Sequence, residues 1–154
     1  MTTNILTPLV VRRQYKQDRE RVFDAFASAN ALEKWFSPAA DIATKVIDLD
    51  FRPGGRYRIA FSLSDGTKPS VTGEYVRIDR PIQLCFTWSW EEPDPHAGID
   101  TLVTIDFIDK NGTTELVVSH EKMDISEMRQ RHSAGWLGAL ERLDRWLQLL
   151  PETA

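Results

Sequence analysis

Between residues 126 and 149 one stripe recurs at steps of three and four: Met128, His132, Gly135, Trp136, Ala139, Leu140, Leu143 and Leu147, with Leu150 just beyond. Arg129, Arg131, Glu141, Arg142, Asp144 and Arg145 fall on the opposite face. The pattern predicts an amphipathic helix of about 24 residues, roughly 36 Å long at 1.5 Å per residue. Ser126, or Asp124 with Glu127 three residues on, is expected to cap its start. A helix of this kind must bury its stripe against another element.

Residues 41–121 supply that element, because there the period drops to two. Candidate strands are 42–51, 55–64, 70–79, 82–90, 100–109 and 113–121. Turn chemistry separates them: Pro53-Gly54-Gly55, Asp65-Gly66, Arg80-Pro81 and the hairpin signal Asn111-Gly112. Tyr57, Ile59, Phe61 and Leu63 share one face; so do Leu84, Phe86, Trp88 and Trp90, then Val103, Ile105 and Phe107, then Leu116, Val118 and His120. An antiparallel sheet with one dry face follows. Ahead of it, Leu9 to Tyr15 reads as a strand, Asp18 as a helix cap before Val22, Phe23 and Phe26, and Asn30 with Glu33 as a second cap for a short helix holding Leu32, Trp35 and Phe36. Pro38 is expected to stop that helix.

At 154 residues the chain has room for one domain, spanning 1–154. Its 19 basic and 23 acidic residues give a net charge of −4. That balance argues against nucleic-acid and anionic-membrane partners, which need a basic footprint. The single cysteine, Cys85, excludes an internal disulfide and a cysteine-based zinc site. No apolar run is long enough to span a bilayer, and no basic region precedes an apolar core at the N-terminus. The C-terminal LLPETA carries no lipidation signal. A cytoplasmic location is the expectation, with no membrane insertion.

Strand, two short helices, six strands and one long helix resemble the START-like (SRPBCC, helix-grip) architecture. More closely, the chain resembles the family of the C-terminal domain of the activator of heat shock protein 90 ATPase. The carriers are Trp35-Phe36-Ser37-Pro38, Asp50-Phe51-Arg52-Pro53-Gly54-Gly55, Gly73-Glu74-Tyr75, Ile78 and Pro81. They continue through Leu84-Cys85-Phe86-Thr87-Trp88, Val103-Thr104-Ile105 and Gly112-Thr113-Thr114-Glu115-Leu116 to His120, His132, Gly135-Trp136, Leu140 and Leu143. Where that family usually opens with V-W-x-A-x-T-x-P, this chain has Val22-Phe23-Asp24-Ala25-Phe26-Ala27-Ser28-Ala29. The resemblance implies an α+β fold: a curved antiparallel sheet of about six to seven strands wrapped around a long C-terminal helix. It does not imply one activity, since the superfamily includes lipid and hormone carriers, cyclases and ring-oxygenase domains. The activator itself carries a further chaperone-binding domain; at this length none is expected here, and a co-chaperone role is not the expectation.

A sheet curled around one helix leaves space between them, and that space is the expected binding site for a hydrophobic small molecule. Trp35, Phe61, Phe86, Trp88, Phe107 and Trp136 are its candidate aromatic lining, against the plainer reading that they are core. His120 and His132 are the candidates for orienting a guest, or for acid–base work, against the reading of hydrogen-bonded core histidines. The mouth is expected between the 28–38 region and the acidic, proline-containing loop 91–98, which also holds a solvated His96. His120-Glu121-Lys122-Met123-Asp124 imitates a zinc motif but sits at a strand end, so no metal is expected. Cys85 should point to the outer face with no base beside it. A Glu74–Arg58 ion pair on that face accounts for both residues, against the alternative of a catalytic carboxylate at Glu74, and Arg52, Arg56 and Arg58 read as a solvated basic edge rather than an anion nest. No cofactor motif occurs. Binding is preferred to catalysis. The alternatives are a cyclase, hydrolase or isomerase in the same cavity, and a chaperone- or stress-linked interaction module. A monomer or a homodimer is expected, with Trp146 beside the helix stripe placed either to flank the core or to pack on a partner.

Overall fold

A computed structural model describes residues 7–151; the extreme ends from which targeting was read, residues 1–6 and 152–154, lie outside the described residues. The order is β1 (Leu9–Tyr15), α1 (Arg19–Asp24), α2 (Ala29–Trp35), β2 (Ala43–Leu49), β3 (Arg56–Ser62), β4 (Ser70–Asp79), β5 (Gln83–Trp90), β6 (Thr101–Lys110), β7 (Thr113–Glu121) and α3 (Ser126–Leu149). The seven strands form one antiparallel sheet in the order β1-β7-β6-β5-β4-β3-β2. Register shifts at Val46/Asp48 and Tyr75/Arg77 bend β2 and β4 and help the sheet curl. The alternation read from the sequence holds: Tyr57, Ile59, Phe61, Leu84, Phe86, Trp88, Trp90, Val103, Ile105, Phe107, Leu116, Val118 and His120 are all buried.

Helix starts differ from the sequence reading at two places, and α1 and α2 also end earlier than read, at Asp24 and Trp35, which leaves Phe26 and Phe36 outside them. Ser28, not Asn30, caps α2, its hydroxyl accepting from the Ala31 N–H at 3.1 Å. Glu33 reaches away from the cap to accept the Val46 N–H at 2.8 Å, which occupies a donor on edge strand β2. At α3 neither Ser126 nor Asp124 caps; Ile125 holds the N-cap position with no side-chain bond. The α1 cap is Asp18, accepting from the Arg21 N–H at 3.0 Å.

Helix α3 is fastened to the sheet at its C-terminal half. The Tyr15 hydroxyl donates to the Leu140 carbonyl at 2.8 Å and Arg13 meets Asp144 at 3.0 Å, joining β1 to α3. Leu140, Leu143 and Leu147 are buried there, and Trp146 packs half-buried against the same cluster. The concave side above β6 and β7 is filled by α1 and the turn after it: Phe23 on α1 and Phe26 just beyond it meet Phe107 tilted and edge-on, with ring centroids 5.0 and 5.6 Å apart. The N-terminal half of α3, over β3 to β5, is not filled in this way.

On the outer face the ion pairs differ from the expected one. Glu74 pairs with Arg56 at 3.6 Å, and Arg58 instead makes a fork with Glu91, just past the end of β5, at 2.9 Å. Register decides this, since Glu74 lies opposite Arg56. Cys85 does face outward, where Thr104 Oγ1 lies 3.5 Å from its sulfur. Among the described residues no helix is long and apolar enough to cross a membrane.

Candidate functional site

Between the sheet and the N-terminal half of α3 lies a cavity of about 410 Å³. Its floor is Phe61 on β3 with Trp88 and Trp90 on β5. Its roof is Arg131, His132, Ala134, Gly135, Trp136 and Ala139 on α3. Its sides are Phe36, Ser37, Pro38 and Ile42 after α2, with Leu63 and Pro69 from the β3–β4 hairpin. Period two puts Trp88 and Trp90 on the same face of β5, and a step of four puts His132 and Trp136 on one face of α3. The loop 91–98 contributes no lining residue, so the mouth differs from expectation: the β3–β4 hairpin takes that place.

Two glycines on α3 set the height of the roof. A Cβ on Gly138 would land on the carbonyl oxygen of Pro38, so glycine there lets the helix press on the α2–β2 loop. A Cβ on Gly135 would meet nothing within 4 Å. Its missing side chain is therefore open volume.

Of the eight candidate residues, the structure brings Phe61, Trp88, His132 and Trp136 to the cavity wall. Trp35 and Phe107 lie on the filled side. The Trp35 indole packs edge-on to Phe26 at 4.9 Å and donates to the Ala25 carbonyl at 2.9 Å, and Phe107 is covered by α1. Phe86 borders a separate void of about 20 Å³ with Tyr57 and Tyr75. His120 lies one layer behind the wall, with its ring centroid 4.9 Å from that of His132. Trp90, Phe36 and Arg131 line the cavity without having been singled out as site residues. Trp90 was legible as the next inward residue after Trp88; Arg131 was not, because its position on the helix stripe edge reads as solvated.

Each imidazole is held by indoles. Trp136 Nε1–H donates to His120 Nδ1 at 3.1 Å, so the ring proton sits on Nε2 and is given to Thr101 Oγ1 at 2.8 Å, which donates onward to the Trp88 carbonyl at 2.7 Å. Trp90 Nε1–H donates to His132 Nε2 at 3.0 Å, which leaves Nδ1–H to donate to the Met128 carbonyl at 2.7 Å. An indole only donates, so neither acceptor nitrogen can be protonated without breaking its bond. Burial pushes His132 down to about 4, with the nearby Arg131 charge adding to the effect. Burial also holds His120 well below the usual histidine range, helped by His132 and Arg129. All four ring nitrogens are occupied and both rings are neutral near pH 7. They brace the wall rather than stand ready as acid and base.

Arg131 is clasped. Its guanidinium makes two bonds to Asp94, at 2.9 and 2.7 Å, and approaches His96 Nδ1 at 2.9 Å. It also lies 4.2 Å from the Trp90 ring centroid, in cation–π contact. Burial pushes the Asp94 carboxyl up, but bonds from Arg131 and the His96 N–H outweigh it and hold the group below its ordinary value. His96 is thus a member of this cluster rather than a solvated loop residue, and α3 ties down the 91–98 loop. Trp88 Nε1 is buried with no hydrogen-bond partner. Among the described residues no group of three His, Cys, Asp or Glu side chains is placed to hold a metal, and His120 to Asp124 runs from β7 into a turn rather than along a helix.

The family model of Activator of Hsp90 ATPase homolog 1-like protein matches residues 16–148. The chain belongs to this family. Solved structures agree on the fold. A Chromobacterium violaceum protein is 24% identical with a TM-score of 0.82, over 94% of this chain and 98% of that one. A Silicibacter pomeroyi protein of the same family is 23% identical with a TM-score of 0.80, over 93% and 99%. CalU16 from Micromonospora echinospora is 22% identical with a TM-score of 0.66, over 91% and 75%. No curated protein matches the sequence. The family's helix-grip architecture is the curled seven-stranded sheet and long α3 described above.

Proposed function

We propose that this member of the Activator of Hsp90 ATPase homolog 1-like family binds a hydrophobic small molecule between the sheet and the N-terminal half of α3. The observation that carries the reading is the cavity of about 410 Å³ walled by Phe36, Phe61, Trp88, Trp90 and Trp136. Its size lies in the range of small-molecule sites, and its wall is almost entirely apolar. Binding comes from apolar burial at about 25 cal/mol per Å². Binding is favoured over acid–base catalysis because His120 and His132 have no free ring nitrogen.

Thermal unfolding followed by circular dichroism, against a panel of uncharged hydrophobic compounds, tests the reading. A guest at 100 times its dissociation constant stabilises by about 2.7 kcal/mol, roughly 5–10 °C for a domain of this size. Gly135→Leu places its side chain in the empty volume, so it should fold and lose the shift. A panel without any shift, or a shift that survives in Gly135→Leu, rejects the assignment.

A further inference from the structure

The cavity wall carries few polar side chains, and nearly all are engaged. Ser37 Oγ reaches the Ala39 and Ile42 carbonyls at 2.7 and 2.6 Å. The indoles of Trp90 and Trp136 are spent on the two histidines. Arg131 is the one charged side chain among the lining residues, and its charge is met by Asp94 across two short bonds. A carboxylate entering this space would shed its water and find no free cation, while Asp94 stands just behind the guanidinium. An arene would lose little water and meet aromatic rings on the floor and roof.

We propose that the cavity selects uncharged aromatic guests and turns away carboxylates of the same shape, with the Arg131–Asp94 pair setting that preference. This rests on the binding reading above and adds to it a class of guest and the residues that choose it. Asp94 acts at a distance from the guest: it takes up the guanidinium that an anion would otherwise use. The stacking of Arg131 on Trp90 keeps that guanidinium beside the wall, so releasing it from Asp94 changes its charge balance without having to move it far.

Isothermal titration near pH 7 with methyl 2-naphthoate and with 2-naphthoate, on the wild type and on Asp94→Asn, tests the proposal. The ester is expected to bind the wild type at least about tenfold more tightly than the acid, a difference of about 1.4 kcal/mol. Asp94→Asn keeps a carbonyl acceptor and removes the negative charge. It should leave the ester unchanged and tighten naphthoate by about tenfold. Arg131→Gln, carrying no cation to release, should show no gain for naphthoate and serves as the second variant, with circular dichroism checking that both fold. Wild-type protein that binds naphthoate as tightly as the ester overturns the charge preference and leaves the cavity standing as a ligand site. Asp94→Asn with no gain for naphthoate overturns the role of the pair. Neither compound binding overturns this proposal, whereas the wider panel above decides the cavity itself.

Discussion

Gly135 and Gly138 lie one turn apart on the same helix, and an added methyl would meet open space at the first and a backbone carbonyl at the second. The contrast extends to the two halves of α3. From Ala139 onward Leu140, Leu143 and Leu147 are sealed against the sheet, and Tyr15 and Arg13 bond across. Before that point the helix is held to the sheet by hydrogen bonds between imidazole and indole, His132 to Trp90 on β5 and Trp136 to His120 on β7, and the cavity lies beside these bonds. One element thus does two jobs. Its C-terminal half supplies cohesion by close packing, and its N-terminal half holds a space open by rigid polar bracing.

Breaking the packed half should cost most. Leu143→Ala removes a fully buried side chain and is expected to destabilise by about 3 kcal/mol in urea unfolding. The braced half should instead respond to acid. In the unfolded chain a histidine takes its proton near 6.5, while folded His132 holds off to about 4. Between those values the unfolded chain binds more protons, so stability is complete above 6.5 and falls as pH drops through the window. The loss should reach about 2 kcal/mol between pH 8 and pH 5 from His132 alone, with His120 adding in the same direction. Unchanged urea midpoints across that range would refute the neutral bracing. The Leu143→Ala deficit, being remote from the histidines, should be the same at both pH values.

Gly138→Ala should destabilise by about 1.5 kcal/mol, since the gain in helix propensity is outweighed by pushing Pro38 aside. Gly135→Ala should do the reverse, stabilising by up to about 1 kcal/mol because nothing opposes the methyl. Thermal melts of the two variants side by side check both signs. If they moved together, the distinction between the halves would collapse.

Strands and faces were legible because period two and turn residues act locally. Thus β4, β7 and α3 begin and end where the pattern places them. Ser28 was hidden behind Asn30 because both are good caps and only the chain direction chooses. Phe107 shares the sheet's inward face with Trp88, and alternation says which face a residue takes, not what covers it; Trp35 lies on α2, whose lean across the sheet no local pattern gives. Whether α1 or empty space lies above a given ring depends on how the helices lean across the sheet. The Trp90–His132 and Trp136–His120 bonds span 42 and 16 residues and join different elements, so no local spacing announces them. Arg131 was set aside for the same reason, as its partner Asp94 lies 37 residues away in a loop.

Gly135 makes chamber size and folding separately adjustable. A Cβ added at that position meets nothing of the leucine core, so a series from alanine through valine to leucine is expected to step the chamber down while the scaffold stays intact. Drift at this one residue would therefore change the volume of the chamber without first passing through an unstable intermediate.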